Sequence, residues 1–176
     1  MESVIVSIKP EWIEKIVRGE KTIEVRKSAP KEVPFKAYIY ETKHATEMPW
    51  VDEDGHFIYK GRGQVIGEFV CDKILEIEVF KNGAIENFWL YDLYKSCLSF
   101  DEMGAYIGKG NIGYGWHISD LKIYDKPKEL SEFWGLTHCL AADTMECWSC
   151  FAPCKERDGK HYKPLTRPPQ SWQYLY

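Results

Sequence analysis

Apolar residues in the first 43 positions alternate between strand-like and helix-like spacing. In "SVIVSI" (3–8) every second residue lies on one apolar face, which predicts a strand. "PEWIEKIVRG" (10–19) has apolar residues at helical spacing, a proline at its first position and a glycine at its end, so it predicts a helix. Strand alternation returns in "KTIEVRK" (21–27) and in "PFKAYIYETK" (34–43).

Further along the chain the pattern is less regular. The polar, acidic segment 44–62 predicts a long loop, and 63–80 predicts a long or bent strand with a bulge or a close backbone approach at Gly67. The remaining expected elements are a helical stretch within 81–99, a short helix over 99–108, a strand over 114–124, a helical turn over 126–133 and a final strand near 168–176. Because the βαβ periodicity of a doubly wound sheet is absent, we expect one small α+β domain over residues 1–176.

Composition and charge narrow the function classes. The chain has 176 residues, 44% of them apolar, which excludes a disordered protein. It has no apolar run of about 18 residues and no basic leader, so we expect a cytoplasmic protein without a membrane span. The net charge is −4, yet residues 1–36 carry eight Lys/Arg against six Asp/Glu, while 44–104 carry five against twelve. Contact with a nucleic acid is therefore expected near the N-terminal segment, and it should be salt-sensitive.

The strand predicted over 21–27 has an unusual polar face. Its aliphatic residues are expected to face the core, so that Thr22, Glu24 and Arg26 share the opposite face and Lys21 stands at the start of the strand. The two cations could bind phosphate, and Glu24 could accept hydrogen bonds from a base or act as a general base. The alternative is a salt bridge between Glu24 and Arg26, which at a surface contributes under about 1 kcal/mol.

Lys9 occupies the position before the first helix, where Ser, Thr, Asp or Asn would be preferred. An ammonium beside the free N–H groups of a helix end would attract an anion, and the alternative is an ordinary solvated lysine. Aromatic residues form 15% of the chain, including 7 Trp. Most of them are expected in the core, and stacking platforms for bases are the alternative.

The stretch "SIKPEWIEKIVRGEKTIEVRK" (7–27) resembles the signature of the ASCH domain, a relative of the PUA domains. That signature is a strand, a helix and then Gly-x-Lys-x-x-Glu-x-Arg, matched here by Gly19, Lys21, Glu24 and Arg26. The resemblance to phage-type ASCH proteins touches residues 3–43, 63–79, 104–130 and 167–172. It implies a PUA-like mixed β-barrel of five to six strands with flanking helices and a cleft beside the first helix.

The resemblance also implies a function. The ASCH family is linked to RNA binding and to transcription coactivators, one branch hydrolyses N4-acetylcytidine, and others are reported as ribonucleases. The hydrolase branch has a threonine nucleophile at the position of Glu24, so the chain departs from that branch there. The residues expected to bind a nucleic acid or another ligand in the cleft are Lys9, Lys21, Thr22, Glu24, Arg26, Glu68, Tyr106 and Lys109. Glu68, Tyr106 and Lys109 are included because they lie in family-like blocks, and the alternative for each of them is a purely structural role.

Three functional hypotheses follow. The first is a binding module that recognises RNA, a nucleotide or a nucleoside through this cleft. The second is a hydrolase acting on RNA or on a modified nucleoside, a ribonuclease or an N4-acylcytidine amidohydrolase, with Lys21 and Glu24 as catalytic residues. The third is a phage factor that binds a host protein through the acidic region 44–104.

Four cysteines near the C-terminus have the spacing Cys-x7-Cys-x2-Cys-x3-Cys, in a segment (134–167) that we expect to be an insertion before the final strand. Four thiolates can bind a structural zinc ion, which would order a segment poor in aliphatic residues. Free thiols, disulfides and an iron–sulfur cluster are the alternatives. The expected ligands are Cys139, Cys147, Cys150 and Cys154. Cys71 and Cys97 are expected in the core, and His117 is expected to be a partly buried, hydrogen-bonded histidine.

Overall fold

The computed structural model describes residues 1–43, 61–88, 90–137, 155–157 and 160–176. These residues form, in order, β1 (Ser3–Ile8), α1 (Pro10–Val17), β2 (Ile23–Arg26), β3 (Phe35–Glu41), β4 (Val65–Cys71), β5 (Ile74–Val79), β6 (Ile85–Glu86), α2 (Leu90–Ser96), α3 (Phe100–Ile107), β7 (Asn111–His117), β8 (Ser119–Lys128), a 3₁₀ helix (Leu130–Glu132), β9 (Trp134–Thr137), β10 (Lys155–Arg157), β11 (Lys160–Pro164) and β12 (Trp172–Leu175). None of the helices in this part of the chain has the length and apolar character needed to cross a membrane.

The strands form three sheets within the described residues. The largest has the order β12-β1-β3-β4-β8, with β1 parallel to β3 and antiparallel to β12. A four-stranded sheet has the order β2-β7-β5-β6, and a three-stranded sheet has the order β10-β11-β9. This architecture confirms the α+β class. Closure of the sheets into a PUA-like barrel stays a prediction.

Local signals placed two helices correctly. α1 starts at Pro10 and ends at Val17, and Gly19 beyond it has a φ of 73°, in the left-handed region where glycine is favoured. α3 is preceded by Ser99, whose hydroxyl accepts from the amide of Glu102, while the Glu102 carboxylate accepts from the amide of Ser99. This capping box accounts for the predicted start of the short helix.

Three predicted elements need correction. The stretch 63–80 is two strands, β4 and β5, which belong to different sheets and meet at Asp72 and Lys73. Likewise, 114–124 spans β7 and β8, and Ile118 between them donates its amide hydrogen to Thr22 O. A period of two residues on each side of a corner predicts strands but carries no information on which sheet each strand joins, so the pattern alone does not show the change of sheet. The helix expected within 81–99 covers only Leu90–Ser96.

Gly67 lies where two neighbouring strands approach closely, as predicted. A Cβ atom on Gly67 would lie 2.5 Å from the backbone oxygen of Lys122 in β8. The pairing of β4 with β8 shifts register on both sides of this glycine. The bulge therefore depends on the absence of a side chain at this position.

The buried apolar side chains form three clusters. The first packs α1 on one face of the five-stranded sheet, with Trp116 and Phe35 at its centre. The second joins β2 and β5 to α3 and contains Ile23 and Val25, the residues predicted to face the core. The third covers the other face of the five-stranded sheet with Leu130 and other residues near the 3₁₀ helix. Ile23 and Val25 contribute one face of β2 to the second cluster, and the charged residues of β2 lie on its other face.

Candidate functional site

The turn after α1 delivers the charged residues of β2 to one place. The amides of Glu20 and Lys21 both donate to the carbonyl oxygen of Lys15 in the last turn of α1. β2 then pairs antiparallel with β7, so that Glu24 lies opposite Trp116. The helix end and the neighbouring strand together fix the direction of the Glu24 side chain.

Lys21, Glu24 and Arg26 form a buried row of charges. Arg26 Nη2 lies 2.8 Å from Glu24 Oε1, and Lys21 Nζ lies 3.3 Å from Glu24 Oε2. The three residues are 3%, 6% and 7% exposed. The sequence allowed a salt bridge at the surface, but the structure has a buried ionic triad with a net charge of +1. Removing one member of this triad would leave another charge buried without its counter-charge.

Backbone carbonyl groups hold both cations in place. Lys21 Nζ donates to Ile23 O at 2.9 Å and to Ser96 O at 2.7 Å, and Arg26 Nη2 donates to Ser7 O at 2.7 Å. Ser96, at the end of α2, is itself fully buried. The triad is thus tied to β1, β2 and the end of α2, which makes it a rigid feature of the fold.

The triad nevertheless leaves two polar atoms without hydrogen bonds. Among the described residues, neither Glu24 Oε2 nor Arg26 Nε has a hydrogen-bond partner, although both atoms are buried. The contact between Lys21 and Glu24 Oε2 is close enough for an ion pair, but the hydrogen bonds of the ammonium go to the two carbonyl groups. Buried groups of this kind are uncommon in proteins and require an explanation, such as a water molecule or a ligand.

A cavity of about 280 Å³ opens beside the triad, and the described residues that line it are Ser7, Ile8, Lys9, Trp12, Lys21, Glu24, Val25, Leu98, Arg26 and Tyr106. Two of these residues are aromatic and lie against lysines. The Nζ atom of Lys21 is 5.3 Å from the centroid of the Trp12 ring, and that of Lys27 is 5.3 Å from the Tyr106 ring. The cavity therefore combines charged groups with two aromatic surfaces.

The structure brings five of the eight predicted binding residues together. Lys9 and Tyr106 line the cavity with the triad, whereas Thr22, Glu68 and Lys109 are not among the described residues that line it. The Lys9 side chain is 61% exposed, with Nζ 3.7 Å from Glu11 Oε1, and it makes no capping bond to α1. Lys9 is thus an exposed cation at the rim of the cavity.

Thr22 and Lys109 have other surroundings. Thr22 bonds through its backbone, donating to Lys95 O and accepting from Ile118 N. Lys109 lies in the turn before β7, close to the backbone of Gly83. Thr22 is next to Lys21 in the motif, and Lys109 belongs to a family-like block of the sequence. Neither kind of position was sufficient to predict that a residue lines the cavity.

Glu68 belongs to a separate polar cluster on the five-stranded sheet. Its carboxylate accepts from Lys36 Nζ at 3.0 Å and from the Tyr124 hydroxyl at 2.5 Å. Burial acts to raise the pKa of Glu68, but the hydrogen bonds from Tyr124 and Lys36 outweigh it, so the pKa is lowered. Glu68 on β4 is satisfied by side chains of the two neighbouring strands, β3 and β8.

Sequence reasoning missed two residues of the site. Trp12 is one of the apolar residues at helical spacing in α1, for which the sequence predicted no role in binding, yet it lines the cavity beside the triad. Its position on the helix that precedes the motif was the available signal. Ser96 lies far along the chain from Lys21, and nothing in the sequence pattern indicated that its carbonyl oxygen anchors the ammonium.

The remaining candidates are a histidine and the cysteines. His117 Nδ1 lies 2.7 Å from Asp72 Oδ1, which confirms a hydrogen-bonded histidine, and this bond lowers the pKa of Asp72. Cys71 is buried as predicted, and burial raises the pKa of its thiol to about 12. Cys97 is only partly buried, so its assignment to the core is corrected.

The predicted zinc ligands Cys139, Cys147, Cys150 and Cys154 lie outside the described residues. In the part of the chain that the structure does describe, no three His, Cys, Asp or Glu residues are placed to hold a metal ion. The zinc site stays a prediction.

Comparison with known proteins identifies the family. The sequence model of the ASCH domain matches residues 6–136, and no curated protein was found to be similar in sequence. Three similar solved structures are the ASCH protein of Zymomonas mobilis and two of its variants, a tyrosine-to-phenylalanine and a serine-to-alanine substitution. Each is 18% identical to this chain, with TM-scores of 0.57, 0.59 and 0.57. The three alignments cover 99%, 100% and 99% of this chain, and they cover 87%, 91% and 88% of the chains of the three solved structures. These structures share the fold, and the match over residues 6–136 shows that the chain belongs to the ASCH domain family.

Proposed function

We propose that this ASCH protein binds RNA or a nucleotide in the cavity between α1 and β2. The observation that carries the proposal is the buried Lys21–Glu24–Arg26 triad in the wall of a cavity that also has Trp12 and Tyr106 on its surface. Aromatic rings stack on bases of any sequence, and fixed polar groups add hydrogen bonds to base edges. Structural charge pairs are common, but a buried triad with two unsatisfied atoms beside an open cavity favours a binding role.

The size of the cavity limits the ligand. At about 280 Å³ it lies just below the range of roughly 300–1,000 Å³ that is typical of pockets for drug-sized ligands. A cavity of this size suits one unpaired base or one nucleoside, so an RNA ligand would have to be single-stranded where it enters. The rest of the strand would remain outside, near the exposed lysines of the rim.

The test is a binding assay with labelled single-stranded RNA at low and high salt. Trp12→Leu should weaken binding by about 1–3 kcal/mol, the usual contribution of one base–aromatic stack. Tyr94→Leu is the matched control, because Tyr94 is 85% exposed on α2 and is not among the described residues that line the cavity. Equal affinities for the two variants, together with binding that does not weaken with salt, would contradict the proposal.

Hydrolysis of RNA or of a modified nucleoside is the second candidate function. The observation that favours it is the Glu24 carboxylate, which lies beside Lys21 and has one oxygen without a hydrogen bond among the described residues. Such an oxygen could take a proton from an attacking water molecule. The same labelled RNA, and acylated cytidine, should then be converted by the wild-type protein and not by Lys21→Ala with an intact fold. Quantitative recovery of both substrates would leave binding as the function.

Three finer predictions remain proposals. They are an association with phages, a structural zinc ion on the cysteines of 134–167, and a host-protein interaction through 44–104. The last of these predicts that a partner captured by the wild-type protein is lost when acidic residues of 44–104 are neutralised, and that the protein binds no RNA.

A further inference from the structure

We infer that the buried triad recognises an uncharged nucleobase edge, and that phosphate groups are bound only by the lysines at the rim of the cavity. This inference rests on the proposed function and adds a division of roles within the site. It concerns the nature of the chemical group that enters the cavity. The sequence suggested the opposite assignment, in which Lys21 and Arg26 bind phosphate.

Lys21 has little capacity left for a phosphate. An ammonium has three donors, and two of them are bonded to Ile23 O and Ser96 O. The same ammonium lies 3.3 Å from Glu24 Oε2, and the residue is only 3% exposed. A phosphate would have to displace bonds that fix β2 to the end of α2.

The free groups of the triad are one acceptor and one donor. Glu24 Oε2 can only accept a hydrogen bond, and Arg26 Nε can only donate one. The phosphodiester group of an RNA strand offers acceptors alone, so it would leave Glu24 unsatisfied, and a phosphate of any kind would add a negative charge beside the carboxylate. A base edge with an amino group and a ring nitrogen, as in cytosine and adenine, offers one donor and one acceptor, the two kinds of partner that these atoms lack.

The rim supplies the groups that a phosphate needs. Lys9 is 61% exposed and lines the cavity at the start of α1. Lys27 is exposed, and its ammonium lies 5.3 Å from the centroid of the Tyr106 ring, which lines the cavity from α3. Both ammonium groups can turn towards a phosphate without breaking a buried hydrogen bond.

The first experiment uses the wild-type protein and calorimetry with cytidine, adenosine, their N4,N4-dimethyl and N6,N6-dimethyl derivatives, and inorganic phosphate. At least one of the two parent nucleosides should bind, and dimethylation of its amino group should weaken binding about tenfold or more, because the donor to Glu24 is lost. Inorganic phosphate should not displace that nucleoside. Displacement by phosphate, or equal affinity of the parent and dimethyl nucleosides, would overturn the inference.

The second experiment separates the triad from the rim. The 5′-monophosphate of the bound nucleoside should bind more tightly than the nucleoside at low salt, and Lys9→Ala should reduce this difference. Glu24→Gln keeps the shape of the side chain but removes its charge and one acceptor oxygen, so it should weaken nucleoside binding while the gain from the 5′-phosphate is kept. If Lys9→Ala and Glu24→Gln change nucleoside and phosphate affinity in the same way, the division of roles is wrong.

The two experiments also distinguish the inference from the proposed function. Trp12-dependent binding of RNA combined with displacement of nucleoside by phosphate would retain the proposed function and reject the inference. Absence of both RNA and nucleoside binding would reject both. If Glu24→Gln does not fold, the measurements on the wild-type protein still decide whether the inference is right.

Discussion

The Glu24 carboxylate lies 2.8 Å from the Arg26 guanidinium, and both side chains are more than nine-tenths buried. Removing one member of such a pair leaves the other charge in a medium that solvates it poorly. Here the loss of Glu24 would leave two cations, Lys21 and Arg26, without their common counter-charge. The triad therefore ties the stability of the fold to the charges of the proposed binding site.

Glu24→Ala should lower the free energy of unfolding by about 3–5 kcal/mol, the usual cost of breaking a buried ion pair. Arg18→Ala is the control, because Arg18 pairs with Glu14 on the exposed surface of α1, where the loss should be under about 1 kcal/mol. Urea unfolding monitored by tryptophan fluorescence measures both changes. A loss for Glu24→Ala no greater than that of the control would show that the triad does not contribute to stability.

A pair of glycines tests the close approach of β4 and β8. Gly67→Ala would place a methyl group 2.5 Å from the backbone oxygen of Lys122, so it should destabilise the fold by about 1–3 kcal/mol. Gly104→Ala introduces the same group in α3, where no neighbouring atom lies within 4 Å. Because alanine favours helix, that variant should gain about 0.5–1 kcal/mol. Thermal unfolding of the two variants should shift in opposite directions, and shifts of the same sign would contradict the bulge.

The Glu68 cluster predicts a pH dependence of stability. The pKa of Glu68 is lowered in the folded state, since its hydrogen bonds from Tyr124 and Lys36 outweigh burial. A lowered folded-state pKa contributes stability above the unfolded pKa of about 4.3, and this contribution is lost as the pH falls through the folded value. Glu68→Gln and Tyr124→Phe should therefore flatten the decline of unfolding free energy between about pH 5 and pH 3.

Tyr94→Phe is the control for this measurement, because Tyr94 is exposed on α2 and the wild-type slope should be kept. Parallel pH profiles for the wild-type protein and Glu68→Gln would show that Glu68 does not carry the effect.

The cysteine prediction is tested by metal analysis of protein purified without added zinc under reducing conditions. About one zinc ion per chain is expected if Cys139, Cys147, Cys150 and Cys154 bind one metal. The variant Cys147→Ser with Cys150→Ser should lose the metal, whereas Cys97→Ser should keep it, since Cys97 is separate from the four and lies in the described region as a free cysteine. Only traces of metal in the wild-type protein would contradict the site.

The local features of the site could be predicted from the sequence because they depend on neighbours in the chain. The alternation in β2 correctly put Ile23 and Val25 in the core and Glu24 and Arg26 on the opposite face. Alternation does not show what covers that second face. Its burial comes from α1, β1 and the end of α2, and these contacts join residues that are distant in sequence.

The same limit explains the placement of Glu68. The partners of Glu68 could not be predicted, because Lys36 and Tyr124 come from two other strands that pair with β4 on either side. Strand pairing of this kind depends on the sheet order β3-β4-β8, which a period of two residues does not encode. For Trp12, the helical spacing correctly predicted a position on α1, but it did not show that the side chain borders a cavity.

The position of β1 between β3 and β12 has a consequence for biosynthesis. On the ribosome, β1 can pair with β3 once residue 41 has emerged, but Ser3 meets its other partner, Leu175, only after residue 175 has emerged as well. Until then one edge of the nascent sheet is bare, and bare edges recruit strands from other molecules. A polypeptide without residues 172–175 would lack the strand that covers this edge, so protection against aggregation depends on β12, which is made long after β1 and β3.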